Sequence, residues 1–217
     1  MLNPALRWYD EAVRADPPRR PDGHGAPAGG MVTAMLRCCD GPERTEWPML
    51  LRDVELGDLD AYVRMRCDPV MMAELGGPLP REGMEAKVER DVRSAARDDE
   101  WIKMVVPDGA EPSAVAGTVT LFTHELDGEP ASEVGWMVLP EFQGRGLGKR
   151  AARTLLERAC EDGRWGVVHA FPGASNAASN GICRSLGFTF AGEKDVTFAG
   201  RILRANHWSI DPGTDLA

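Results

Sequence analysis

Residues 133–160 read EVGWMVLPEFQGRGLGKRAARTLLERAC. Three pieces follow one another. Glu133 to Leu139 is apolar enough for a short strand. Pro140 to Gly148 is a turn carrying three glycines, Gly144, Gly146 and Gly148. Lys149 to Cys160 has the composition of a helix. A strand, a glycine turn and a helix in that order aim bare backbone N–H groups at an anion.

Outward from this stretch, both flanks alternate strands and helices. Upstream, MLLRDV (49–54) is a strand, and Asp58 is placed to cap a helix through Leu59, Tyr62 and Val63. Met71 and Met72 follow, read as core or lid packing with pocket lining as the alternative, before Gly76-Gly77-Pro78 ends the segment. Met84, Val88 and Val92 recur at spacing four, a narrow apolar stripe on a charged helix. WIKMVV (101–106) and VAGTVTLF (115–122) pair as a hairpin. A polar loop from His124 to Ala131 leads into the central strand. Downstream, GVVHA (166–170) is a buried strand, and NAASNGICRSL (176–186) a helix capped at Asn176 and stopped by Gly187. Phe188 to Gly192 and Phe198 to Trp208 read as two final strands joined by Glu193-Lys194-Asp195. The sum is an α/β fold with a mixed, mostly antiparallel sheet.

The 217 residues suit one domain, placed at 46–212. Residues 1–45 read as an N-terminal extension: a short helix, then the Pro- and Gly-rich linker PPRRPDGHGAPAGG. A net charge of −9 speaks against nucleic acid, which needs a basic face. No run of about 18 apolar residues is present, so no membrane span is expected. The five cysteines lack paired spacing, and no Cys-x-x-Cys or His cluster suggests a metal. A reduced, cytoplasmic protein is the expectation.

Gln143-Gly-Arg-Gly-Leu-Gly148 is neither of the two common nucleotide loops. The Gly-Lys-Ser/Thr of a Walker loop is absent, and Lys149 stands where the dinucleotide fingerprint wants glycine. The alternating glycines, the helix N-terminus, and Arg145, Lys149 and Arg150 still suit a diphosphate.

The same six residues resemble the signature of the GNAT superfamily of acyl-CoA-dependent N-acyltransferases, Gln/Arg-x-x-Gly-x-Gly/Ala between its fourth strand and third helix. A second match, Asn176-Ala-Ala-Ser179 followed by Leu186-Gly187-Phe188, resembles the family's Asn-x-x-Ser…Leu-Gly-Phe helix. The resemblance spans about residues 48–210, and the fourth strand and last helix are similar to those of the ribosomal-protein alanine acetyltransferases. It implies a single GNAT-like domain with helices on both faces and the fourth and fifth strands splayed. It implies acetyl-CoA as co-substrate and no metal. Gln143, Gly144, Arg145, Gly146, Leu147, Gly148 and Lys149 would hold the coenzyme pyrophosphate. Met137, Val138 and Leu139 would offer backbone bonds to the pantetheine arm, with the Val138 N–H steadying the thioester oxygen. Asn176 and Ser179 would reach the pantetheine or acetyl region.

The implied chemistry needs a base for the ammonium and a donor for the leaving thiolate. Where many members carry a tyrosine on the last helix, this chain has Cys183. Ser179 and Cys183 are the donor candidates. Against them stand a hydroxyl bonded back within its own helical turn and a buried structural thiol. Glu133 leads as base, its alternative an exposed carboxylate at a strand end. His124, Trp136, His169 and Phe171 are candidates for the amine site. His169 also reads as a satisfied core histidine, and Trp208 as part of an aromatic wall. Glu125, Asp127, Glu129 and Glu133 would favour a cationic amine. Three readings follow: acetylation of a small-molecule primary amine, acetylation of a protein N-terminus or lysine, and an acyl-CoA binding module without catalysis. The resemblance also makes a homodimer an expectation.

Overall fold

The computed structural model of the chain describes residues 49–216, apart from 108 and 112. The expected N-terminal helix, the linker, Cys38 and Cys39 lie outside the described residues.

Seven strands form one sheet in the order β1-β2-β3-β4-β5-β7-β6. They are β1 (Met49–Asp53), β2 (Trp101–Pro107), β3 (Gly117–Leu126), β4 (Glu129–Val138), β5 (Val168–Ala170), β6 (Thr189–Phe198) and β7 (Arg201–Ile210). Every neighbouring pair is antiparallel except β4 and β5. The α-helices are α1 (Leu59–Arg66), α2 (Met84–Ala96), α3 (Leu147–Asp162) and α4 (Ala177–Ser185). The α/β fold with a mostly antiparallel sheet is as expected, and its helices cover both faces.

One face carries the larger core. Val119, Leu121 and Val134 of the sheet pack there on Ala151, Leu155 and Leu156 of α3 and on Cys183 and Leu186 of the α4 segment. The other carries α1 and α2, where Tyr62, Met65 and Val88 pack on Ile102 and Met104. A buried polar bond fixes α1 to α2. The Tyr62 hydroxyl donates to Asp91 Oδ2 at 2.7 Å, and Lys87 Nζ holds the same carboxylate at 3.0 Å. Burial pulls the Lys87 ammonium down to about 8.

Two segments differ from the sequence reading. The polar run His124 to Ala131 is not a loop. β3 and β4 continue through it in register, Phe122↔Glu133 and His124↔Ala131, and turn only at Asp127-Gly128. Both turn residues have positive φ (54° and 94°), the geometry of a tight Asp-Gly hairpin. The outward charges hid the strand, because only every second residue faces the protein. Likewise Glu193-Lys194-Asp195 is the middle of β6 rather than a turn, and the hairpin closes at Ala199-Gly200 (φ 49° and 75°).

β4 and β5 pair only at Ser132↔Val168 and Glu133↔His169. Beyond these the two strands part, and the sheet opens at the C-terminal half of β4.

Candidate active site

The loop after β4 begins with a one-turn 3-10 helix, Pro140–Phe142. Gly144 (φ 73°) and Gly146 (φ 74°) then take the left-handed conformation, which glycine adopts without strain. The first bond of α3 runs from the Arg150 N–H to the Gly146 carbonyl. The N–H groups of residues 144–149 have no acceptor among the described residues. They form a cradle of bare donors at a helix N-terminus. Gly148 serves a different need: a Cβ there would lie 3.2 Å from Ile182 Cδ1 and 3.3 Å from Val138 Cγ2, so the close approach of α3 to β4 and α4 leaves a side chain no slack.

Backbone polarity decides which β4 groups are free. The Leu139 N–H bonds to the Ala116 carbonyl at 2.8 Å. In an antiparallel ladder such pairs alternate, so Met137 also turns its N–H and C=O toward β3, while Trp136 and Val138 turn theirs toward the open side. Val138 thus has its N–H on the open side of β4, and its carbonyl accepts from Gln143 Nε2 at 2.9 Å. Met137 and Leu139 do not offer the expected backbone bonds, since both face β3. Leu139 is also buried in the core under α1 and α2.

At the start of α4, Asn176 Oδ1 accepts the Ser179 N–H at 3.0 Å and so caps its own helix. The Ser179 hydroxyl has no partner among the described residues and lines the cavity described below, contrary to the back-bonded alternative. Cys183 is fully buried in the core, and burial pushes its thiol up to about 12. It is a packing residue, removed from the candidate donors by the helical turn that turns it inward. Trp208 is likewise no wall: its indole N–H is buried against Asn180 Oδ1 at 2.9 Å.

Across the sheet lies the other half of the site. Glu133 is in mid-strand, not at an exposed end. Its side chain is 18% exposed, and desolvation pushes its carboxyl up to about 8. His124, 3% exposed, brings Nε2 to 3.2 Å from Glu133 Oε2. The approach is too skewed for a hydrogen bond, and neither ring nitrogen has an aligned partner. Phe171 stands edge-on to His124 at 6.3 Å and stacks on His207 at 4.7 Å. His169 lies behind Phe171, with Nδ1 2.9 Å from His207 Nε2, and does not line the cavity. Burial holds His124, His169 and His207 below the ordinary 6.5.

A cavity of about 720 Å³ joins the two halves through the gap between β4 and β5, within the range of small-ligand sites. Gly144, Gly146, Gly148, Lys149, Asn176 and Ser179 line one end, and His124, Glu133 and Phe171 the other. Trp136 belongs to the glycine-loop end, beside Gly148, rather than to the amine end as expected. The cavity has a roof. Phe198 and Ala199 at the β6–β7 hairpin pack on the cluster of Met72, Leu79 and Met84. The Ser175 hydroxyl donates to Glu74 Oε2 at 2.5 Å. Glu74, Phe122, Lys194 and Phe198 also line the cavity, none of them assigned a role there from the sequence, and so does Met71, for which pocket lining was the alternative to core or lid packing. No local pattern marks them, because distant segments bring them together. Among the described residues no group of three or more His, Cys, Asp or Glu could hold a metal ion.

A family model described as "Acetyltransferase (GNAT) domain" matches residues 49–189. Solved structures share the fold at low identity. The acetyl transferase from Salmonella typhimurium that modifies the N-terminal serine of ribosomal protein L7/L12 is 16% identical (TM-score 0.60, covering 75% of this chain and 94% of that one). A spermidine N-acetyltransferase chimera from Vibrio cholerae is 17% identical (0.60, 76% and 95%). A putative acetyltransferase from Salmonella typhimurium, solved with acetyl-CoA, is 22% identical (0.56, 78% and 97%).

Proposed function

The chain belongs to the GNAT acetyltransferase family, whose acetyl donor is acetyl-CoA, and on that basis we propose that it acetylates the primary amine of a small molecule by direct attack. The observation that carries the small-molecule reading is the roof. The segment of residues 71–79 meets Phe198 and Ser175 at the cavity's margin, and its Met71, Glu74 and Leu75 line the cavity. A peptide chain needs an open groove, whereas a small amine fits a bounded pocket.

The bare N–H groups of residues 144–149, with Lys149 beside them, fit the coenzyme pyrophosphate. Bound acetyl-CoA supplies an activated thioester carbonyl. The Val138 N–H, turned to the open side of β4, donates to the carbonyl oxygen as negative charge grows there. Glu133 takes the proton that the acceptor ammonium must lose before its nitrogen can attack the carbonyl carbon. A carboxyl titrating near 8 is a stronger base than an ordinary carboxylate and becomes competent for that task as pH rises toward 8. As the C–S bond breaks, the Ser179 hydroxyl donates to the leaving sulfur.

An acetyl-CoA thiol-release assay tests the reading. Turnover on free small amines supports it. Turnover confined to peptides would point to protein acetylation, and coenzyme A binding without turnover to a binding module.

A further inference from the structure

Away from the glycine loop the cavity is lined by partly exposed apolar side chains from three separate segments: Leu126 of β3, Phe171 after β5, and Val196, Phe198 and Leu203 of the β6–β7 hairpin. Such side chains left open around a cavity gain only if something apolar covers them. Phe171 and His124 stand edge to face at 6.3 Å, with Phe122 at 5.8 Å beyond His124. Rings arranged in this way accept a further ring in an edge or offset contact.

The charges at this end do not suit a polycation. Arg66 and Lys194 line it as well as Glu74 and Glu133. Glu74 already accepts the Ser175 hydroxyl, and Lys194 Nζ sits 2.5 Å from Asp127. The acidic groups that the sequence offered for a cationic substrate lie elsewhere. Glu125, Asp127 and Glu129 are exposed near the β3–β4 hairpin turn, and none lines the cavity. Among the described residues at this end the carboxylates Glu74 and Glu133 are matched in number by Arg66 and Lys194, so the lining offers no surplus of negative charge to a polycation.

We infer that the acceptor is a monoamine with an apolar body, best an aryl ring, and not a polyamine or an aminoglycoside. Its amino group is placed at Glu133 and its body against Phe171 and Phe198. This inference rests on the small-amine reading and narrows it. It makes Phe171 and Leu126 specificity-determining positions.

The test is thiol release by the full-length protein with acetyl-CoA and phenethylamine, spermidine, kanamycin or an N-terminal serine peptide. Phenethylamine should exceed spermidine and kanamycin in kcat/KM by at least about tenfold. Phe171→Ala should raise KM for phenethylamine about tenfold and change kcat little. Leu126→Asp should shift the ratio of kcat/KM values toward spermidine, and it keeps the test informative if Phe171→Ala fails to fold. Equal or better use of spermidine or kanamycin by the wild-type protein would overturn this inference and leave the small-amine reading standing. Turnover of the peptide alone would overturn both.

Discussion

His124 Nε2 stands 3.2 Å from Glu133 Oε2, on one face of the β3–β4 hairpin. The histidine is held below its ordinary 6.5, and the carboxyl is pushed up to about 8, each chiefly by desolvation. At neutral pH both are therefore mainly uncharged, and the base becomes competent as pH rises. Wild-type kcat/KM should climb with pH and level off above about 8. The three histidines titrate below this limb, and an alkyl ammonium near 10 lies above it. Glu133→Gln should lose about 10²–10⁴-fold in kcat/KM, along with the limb near 8. An unchanged pH–rate profile in that variant would give the proton to another group.

The same carboxyl links stability to pH. Its folded value, about 8, lies above the ordinary 4.5, so the folded protein binds this proton more tightly than the unfolded chain. The stabilisation is fully present below the unfolded value and is lost as pH rises through the folded one. Glu133→Gln lacks that loss. Its Tm relative to wild type should therefore rise between pH 5 and about pH 9, by an amount reflecting a few kcal/mol at most. A difference in Tm independent of pH would mean that the carboxyl is solvated in the folded protein.

Ser179 and Cys183 lie one helical turn apart, yet only the serine lines the cavity. Ser179→Ala should lower kcat about tenfold while leaving coenzyme A affinity near wild type. Cys183→Ala should leave kcat unchanged and cost ~1 kcal/mol in denaturant unfolding, as small core truncations do. The reverse order of kcat effects would reassign the thiolate donor.

Gly146 sits at φ 74°, with open space where a Cβ would be. Gly146→Trp should strain the turn and cover its N–H groups, lowering coenzyme A affinity at least about tenfold by titration calorimetry. Unchanged affinity would remove the pyrophosphate from this loop.

The coenzyme half of the site was legible in the sequence because its determinants are local. Gly144 and Gly146 mark left-handed backbone, and Asn176 marks a helix cap, whatever surrounds them. The amine half was not. Glu133 was readable as a carboxylate on a strand, but its burial depends on β5 and its neighbours, far along the chain. His124 was named as a neighbour of the amine, but the continuing strand that carries it was hidden in a run of outward-facing charges. Met137 and Leu139 were assigned backbone bonds that the phase of the β3–β4 ladder denies them, and no residue type reports that phase. Glu74, Lys194 and Phe198 reach the cavity only through the roof, a contact between segments more than a hundred residues apart.

The central claim is acetyl transfer to a small amine with Glu133 as base. One competition measures it most directly. Wild-type protein and Glu133→Gln are each incubated with acetyl-CoA and an equimolar mixture of small primary amines and N-terminal peptides, and mass spectrometry identifies which acceptors gain an acetyl group. The prediction is acetylation of a small amine by the wild-type protein, nearly absent with Glu133→Gln. Acetylated peptides with unmodified small amines, or equal products from the two proteins, would contradict it.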